Sequence, residues 1–259
     1  MKTIGITGSS GFIGKHLLTF FSACSRKQTK VLCFKGDVRN KKQVDRFVQK
    51  CDLVIHLAAR TPSALVADIF EGKNIINPDQ EILETNINGT LNVVNACRLH
   101  KKGFLTCLER NLTEDVFSAS KSICGSIVSE FNNIGMQGFS MKLDPVFGSG
   151  RKAFHGSFVT TLMHLIATKQ EFRSLIKNEN QILELVHVDD VCRWIFSFSD
   201  AFLKNGVFYT NKFEFWDPIV ISVKDLVDLL MGNQTETCLD LEQCSKILKT
   251  FESYKHDNS

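Results

Sequence analysis

Gly8, Gly11 and Gly14 stand three residues apart in the opening stretch KTIGITGSSGFIGKHLL. At that spacing Gly8 permits a tight turn, Gly11 lets the backbone approach a pyrophosphate, and Gly14 lets a helix pack close on a strand. The free N–H groups at the start of that helix then face the anion. Further along, Lys121 sits in FSASK with Ser118 and Ser120 as hydrogen-bond donors, and Glu109, Glu114 and Asp115 lie just ahead of it. Carboxylates beside a lysine have the chemistry of a general acid or base, but loop residues of this kind are more often plain solvated charges. His56 falls inside an apolar run and reads as a core histidine with satisfied hydrogen bonds rather than a base.

These groups need elements to position them. The glycine turn is preceded by a β-type run (Thr3, Ile4, Ile6) and followed by Ile13, Leu17, Leu18 and Phe21 at helical spacing, the context that separates a dinucleotide cradle from an ordinary turn. Val31–Phe34 reads as a second strand, Lys41–Lys50 as a helix, and Asp52–Ala59 as a strand apolar on both faces, as in a covered parallel sheet. A loop region from Arg60 to Asn77, helical around Leu65–Phe70, leads to a long helix capped by Asn77, with Pro78 first, running to Arg98. Phe104–Leu108 (strand), Ser118–Phe131 (helix) and Phe139–Leu143 (strand) follow, after which Pro145 and the Gly148/Gly150 pair break the pattern. Beyond them the sequence predicts helices over Phe158–Thr168 and Asp189–Phe202, strands over Ile182–Val188, Val207–Thr210 and Ile219–Ser222, a helix capped by Ser222 with Asp225, and one more helix through Leu241, Ile247 and Phe251. Strands alternating with helices predict a Rossmann-type, doubly wound parallel α/β fold. The expected division is a nucleotide-binding domain over 1–143 and a smaller α/β substrate-binding part over 144–259.

Composition narrows the function classes. The chain has 259 residues, 43% of them hydrophobic, enough for one large domain or a domain with an appendage. A net charge of +3 is too small and too dispersed for nucleic acid, and Arg26, Lys27 and Lys30 read as a solvated loop. Nine cysteines without a C-x-x-C pair, Cys33, Cys97 and Cys192 among them in apolar runs, read as reduced core residues of a cytoplasmic protein with no metal site. No apolar run reaches membrane-spanning length and no signal peptide precedes the first strand, so the N-x-T triplets at Asn88, Asn111 and Asn233 read as chance.

Taken together, the motifs resemble the extended short-chain dehydrogenases/reductases, the NAD(P)-dependent epimerase/dehydratase group that acts mostly on nucleotide sugars. TGSSGFIG, Thr7 to Gly14, resembles the family's TGxxGFIG loop, which implies cofactor contacts at Gly8, Gly11, Phe12, Ile13 and Gly14. GDVRN resembles its GDxxD segment and implies Asp37, with Val38 beside it, facing the adenine. DLVIHLAA is similar to the strand that lines the cofactor with Leu57, Ala58 and Ala59. NINGTLNVVNACR resembles the NxxGTxNVLEAAR helix, LVHVDDV the FVHVDDVA motif, and GVFYTN with ISVKDLVDLL the family's C-terminal motifs. The resemblance implies NAD or NADP as cofactor, a nucleotide-sugar-like ligand, Arg151 as a candidate for substrate phosphate (or a plain surface arginine), and His187 and Asp189 as braces between the halves. It also implies a homodimer through the Glu81–Arg98 and Ser118–Phe131 helices.

The departures fall at the chemistry. The family uses a Tyr one helical turn before a Lys, the Lys binding the nicotinamide ribose and lowering the Tyr pKa. Here Lys121 is present, but Phe117 holds the Tyr position, and Tyr209 and Tyr254 do not match it. Leu108 and Glu109 stand where the family has serines at the end of its fifth strand, the connection Arg110–Val116 is short, and Lys142, Pro145 and Phe147 replace Arg, Asn and Tyr. Asp37 can serve as ribose acid or adenine contact, while Lys35 and Arg39 either meet a 2′-phosphate or are solvated charges. Two functions follow: an NAD(P)-dependent epimerase, dehydratase or reductase with a non-standard site, or a catalytically silent cofactor-binding sensor or partner subunit.

Overall fold

The computed structural model describes residues 1–24, 29–70, 72–110, 114–151, 157–208, 218–235 and 238–256. Five strands, β1 (Lys2–Thr7), β2 (Thr29–Cys33), β3 (Leu53–His56), β4 (Gly103–Glu109) and β5 (Gly138–Leu143), form a parallel sheet in the order β2-β1-β3-β4-β5. Helices α1 (Phe12–Cys24), α2 (Lys41–Val48), α3 (Pro62–Phe70), α4 (Pro78–Leu83), α5 (Gly89–Leu99) and α6 (Val116–Asn133) lie between the strands in sequence. This is the Rossmann-type α/β architecture that the alternation of strands and helices predicts. The connection after β1 leads to one side of it and the one after β3 to the other, so the strand order reverses between β1 and β3. In an open α/β sheet that reversal leaves a crevice at the carboxyl ends of the strands.

β3 is buried along its whole length, which is why LVIH carries no polar alternation. It is shorter than the expected Asp52–Ala59 run. β1 ends at Thr7, opposite His56, so the next residues have little backbone to pair with; Leu57 N–H still reaches Thr7 O (3.1 Å), and Ala58 N–H turns to the Thr7 hydroxyl (3.3 Å). α2 begins where the Asn40 side chain accepts from Gln43 N–H, and it buries Val44 and Val48 against Val54, Val93, Val94 and Phe104. Such burial contributes about 1.5–3 kcal/mol per side chain.

The single long helix expected from Pro78 to Arg98 is instead α4, a π-helical turn over Glu84–Asn88, and α5. The extra residue of the π turn rotates Asn86 inward, where it is 1% exposed. Gly89 follows at once, and a Cβ there would lie 2.7 Å from Val38 Cγ2, so this helix passes too close to the Asp37–Asn40 segment for any larger residue.

The described residues cluster into two compact units, one comprising Met1–Leu143 with Val191–Phe215 and the other Asp144–Asp190 with Trp216–Ser259. The chain crosses between them within α8 (Val188–Asn205). In the first unit, Phe196 of α8 packs on Phe20 and Phe21 (ring centroids 5.6 and 5.4 Å), and Phe198 on Phe139 (4.5 Å). The second unit holds a three-stranded sheet, β6 (Val146–Phe147), β7 (Ile182–His187) and β8 (Ile219–Ser222), with β6 parallel and β8 antiparallel to β7. β6 was not expected, because Pro145 stands directly before it; its two residues pair with Val186 and His187. Helices α7 (Phe158–Ala167), α9 (Val223–Met231) and α10 (Leu241–His256) build that unit's core around Leu162, Met163, Leu226, Ile247 and Phe251. The expected Ser222 cap forms: its hydroxyl accepts from Asp225 N–H at 3.0 Å. Tyr209 and Thr210 of the expected strand Val207–Thr210, with Arg26, Lys27 and Asn111, lie outside the described residues. Among the described residues no helix is long and apolar enough to cross a membrane.

Candidate functional site

The crevice between β1 and β3 is walled by the glycine turn. Gly8 adopts φ +70°, and a Cβ on it would lie 2.5 Å from Leu57 C and from Ala58 N, so only glycine fits against the chain leaving β3. A Cβ on Gly14 would fall 2.3 Å from Gly8 O and 2.7 Å from Ser9 Cα: this glycine lets α1 pack on the turn itself, rather than on a strand. Gly11 differs from both. It closes the turn by donating its N–H to Gly8 O (3.0 Å), it is exposed, and an added Cβ would meet a single atom within 4 Å, Gly8 O at 3.2 Å. The turn therefore presents bare backbone and open space at the start of α1. No acidic residue occupies the first turn of that helix, which leaves its positive end free for an anion. Phe12 and Ile13, half-buried, form the first helical residues, and Leu57, Ala58 and Ala59, also half-buried, line the opposite wall.

At the rim, Asp37 and Arg39 are not independent charges. Asp37 Oδ1 accepts from Arg39 N–H (2.9 Å), and its Oδ2 accepts from Arg39 Nη2 (2.8 Å) and Nε (2.9 Å). Arg39 Nη1 also donates to Glu81 Oε2 at 2.9 Å. The Arg39 guanidinium holds the Asp37 carboxyl below the usual carboxylate range. Arg39 is thus a paired residue that fixes Asp37, while Lys35 stays exposed. Val38, 5% exposed, sits under Gly89, and Asn92 Nδ2 donates to the Val38 and Arg39 carbonyls (3.1 and 3.0 Å), which sets the loop in place.

Behind the crevice lies a buried polar chain that ends in His56. Thr7 Oγ1 accepts from Ala58 N–H (3.3 Å) and pairs with His56 Nδ1 (2.7 Å), while His56 Nε2 pairs with Thr90 Oγ1 (3.1 Å), one ring nitrogen donating and the other accepting. Burial, reinforced by the nearby charge of Lys121, pushes the His56 pKa down to about 3. The ring is neutral and fully partnered, a structural residue as its apolar surroundings imply.

α6 carries the remaining chemistry. Asp115 caps it, accepting from Ser118 N–H at 2.8 Å, so this carboxylate has a structural task. Glu109 at the end of β4 accepts from the Ser118 hydroxyl at 2.7 Å, while Glu114 is exposed. One turn after Phe117, the Lys121 Nζ lies 5.6 Å from the centroid of the Phe117 ring, a cation–π contact. Among the described residues Lys121 has no hydrogen-bond or ion-pair partner. Burial lowers its pKa below the usual lysine value, partly offset by Cys124, Cys107 and Glu109.

Asn86 ties these parts together, and its inward turn, which depends on the π-helical insertion, is not visible in NINGT as a sequence. Its Oδ1 accepts from Arg60 N–H (2.7 Å), and its Nδ2 donates to Arg60 O (3.1 Å) and to Ser120 Oγ (2.9 Å). One buried amide thus joins the loop after β3 to the helix of Lys121. Asn86→Ala removes three hydrogen bonds and leaves the half-buried Arg60 N–H and C=O without this partner, while Ser120 Oγ keeps its bond to Phe117 O (2.6 Å); thermal unfolding is expected to show a loss of about 2–3 kcal/mol.

Arg151 belongs to the second unit. It is half-buried, its Nη1 donates to Val146 O, and its own carbonyl accepts from Tyr254 OH at 2.9 Å. His187 and Asp189 belong there too: Asp189 N–H donates to His187 Nδ1 (3.3 Å), and Nε2 meets Thr250 Oγ1 (3.4 Å).

No curated protein matches this sequence. Residues 4–126 match the model of the NAD dependent epimerase/dehydratase family. Over that span the chain resembles that family. Solved structures carry the same fold across the whole chain. UDP-glucose 4-epimerase of Thermotoga maritima, solved with UDP-glucose, has a TM-score of 0.72 at 15% identity, covering 99% of this chain and 100% of its own. The Bordetella bronchiseptica enzyme WbmF, in complex with NAD+, has a TM-score of 0.72 at 13% identity, with 99% and 93% covered. RMD from Pseudomonas aeruginosa, complexed with NADPH, has a TM-score of 0.68 at 15% identity, with 98% and 100% covered. At such identities the likeness is one of fold. The matched segment includes both the open Gly11 cradle and the phenylalanine at position 117.

Proposed function

We propose that the first unit binds NAD or NADP and that the protein acts in epimerase, dehydratase or reductase chemistry on a nucleotide-linked sugar, through a centre without a phenol. The observation that carries this reading is the pairing of an open backbone cradle at Gly11 with a partly desolvated ammonium at Lys121 that has no hydrogen-bond or ion-pair partner among the described residues. Neither feature serves the packing of the fold. The cradle and the N-terminus of α1 would hold the pyrophosphate, with Phe12 and Ile13 beside it. Asp37, Val38, Leu57, Ala58 and Ala59 would line the adenosine and ribose side, and Lys121 would hold the nicotinamide ribose. When bound, the nicotinamide supplies a hydride donor or acceptor. Of the chain's own groups, Glu109 is the one placed to hold or move a proton, because it already accepts from Ser118 and lies within electrostatic reach of Lys121. Arg151 would bind substrate phosphate. Support for the ligand classes comes from the neighbours of like fold, solved with NAD+, NADPH or UDP-glucose.

A titration with NADH and NADPH, followed by nicotinamide fluorescence, tests the cofactor reading. Lys121→Ala is expected to weaken the preferred cofactor about tenfold or more, the loss of one charge-assisted contact of about 1.5–3 kcal/mol. Undiminished affinity would remove Lys121 from the site. Nicotinamide absorbance across a panel of nucleotide sugars tests the reaction, and Glu109→Gln is expected to lower any turnover found.

Phe117 favours a second reading, a silent cofactor-binding sensor or partner subunit. Its ring has no ionisable group and lies against the lysine that a phenolate would need. Under this reading Phe117→Tyr restores no turnover, since the serine position is held by Leu108 and Glu109. Robust turnover from that single change would eliminate it. A homodimer is part of the proposal in either case: α5 and α6 expose Leu91, Leu99 and Ile123, and sedimentation would give twice the chain mass.

A further inference from the structure

An apolar cavity of about 210 Å³ opens beside Phe117, formed wholly within the first unit by α3 and the N-terminal turns of α4 and α6. Leu65, Val66 and Ile69 form one wall, and Ile82, Val116 and Phe117 the other. Its side-chain polar groups are the carboxylates of Asp79 and Asp115, and Asp115 is already committed to capping α6. The face of α3 that lines it leaves Val66 and Ile69 49% and 48% exposed.

From this lining we infer that the cavity is a binding site for an uncharged apolar group the size of an aromatic ring, not for a hydroxyl-rich sugar ring. A cavity of about 150 Å³ lined by Leu, Ile and Phe stays dry and takes benzene, and this one is larger and open to solvent at one side. A sugar ring placed here would bury several hydroxyls against Leu65, Ile69 and Phe117. Each hydroxyl left without a partner weakens binding on the order of ten- to hundred-fold. Phe117 lines the cavity and also lies against the Lys121 ammonium, 5.6 Å from its ring centroid. The inference rests on the cavity alone and goes beyond the cofactor reading.

Indole is the probe, followed by saturation-transfer NMR on the intact protein, with glucose at equal concentration as competitor. Saturable binding is expected, at least tenfold weaker in Val66→Trp, whose side chain fills the cavity from a half-exposed position, and unmoved by glucose. Ile69→Trp does the same from the next turn, and an unchanged melting temperature shows which variant is folded. Non-saturable binding, equal binding in a folded filled variant, or displacement by glucose would overturn the inference. Repeating the titration in Gly11→Trp separates the two sites: indole binding is expected to persist there whether or not the cofactor binds to wild-type protein.

Discussion

Gly8→Ala is expected to destabilise the protein by about 3 kcal/mol or more, whereas Gly11→Trp is expected to change stability by about 1 kcal/mol or less and to remove cofactor binding. The two residues are three apart in one turn, and the difference comes from what each Cβ would meet. At Gly8 it meets backbone atoms, Leu57 C and Ala58 N at 2.5 Å, and the backbone there is at φ +70°. A side chain adds about 1–2 kcal/mol of left-handed strain to an overlap that only movement of β1 against the chain leaving β3 can relieve. With total stability of about 5–15 kcal/mol for a typical domain, that is a large fraction. At Gly11 one carbonyl oxygen lies at 3.2 Å and no other heavy atom within 4 Å, so an indole ring projects into the volume the pyrophosphate would use. Chemical denaturation and nicotinamide fluorescence measured on both variants make the comparison. A stable Gly11→Trp protein that still bound NADH and NADPH would show that the cradle is architecture only, and the proposed function would fall. Gly14→Ala follows Gly8 rather than Gly11, because its Cβ would lie 2.3 Å from Gly8 O.

That contrast also marks how far the sequence could be read. The glycine spacing, the helix-capping residues Asn77 and Ser222, and the apolar run of β3 are local signals, and each appears in the fold where its spacing places it. Phe117 and Lys121 are likewise one turn apart by their numbers alone. What stayed hidden depends on pairings distant in sequence. Nothing within NINGT shows that the helix widens to a π turn there, because the inward amide of Asn86 is stabilised by Arg60 and Ser120, residues 26 and 34 positions away. β3 stops at His56 because β1 stops at Thr7, a limit set by another strand. Asp115 reads in the sequence as a loop charge or, less often, a base; only the start of α6 decides that it is a cap. Arg39 and Asp37 are close in sequence, yet their orientation is fixed by Glu81 and Asn92.

His56 predicts an acid-sensitive fold. Its folded pKa is about 3 against an ordinary value of 6.5, so between those values the unfolded chain binds a proton that the folded protein refuses. The stability associated with the neutral ring is present in full above about pH 6.5 and is lost as pH falls toward about 3. At about 1.4 kcal/mol per pH unit, the loss is roughly 2 kcal/mol by pH 5 and roughly 3 kcal/mol by pH 4, relative to neutral pH. Urea denaturation at a series of pH values measures it. His56→Gln keeps one donor and one acceptor for Thr7 and Thr90 while removing the titration, so the decline is expected to flatten by these amounts; an identical decline in both proteins would mean that other groups carry it. Lys121 supplies an internal control. Its charge is the second cause of the depressed His56 pKa, so Lys121→Met raises the folded value toward 6.5 and makes the total acid loss smaller. The same lysine that would hold the cofactor ribose thereby leaves a mark on folding that can be measured with no cofactor present.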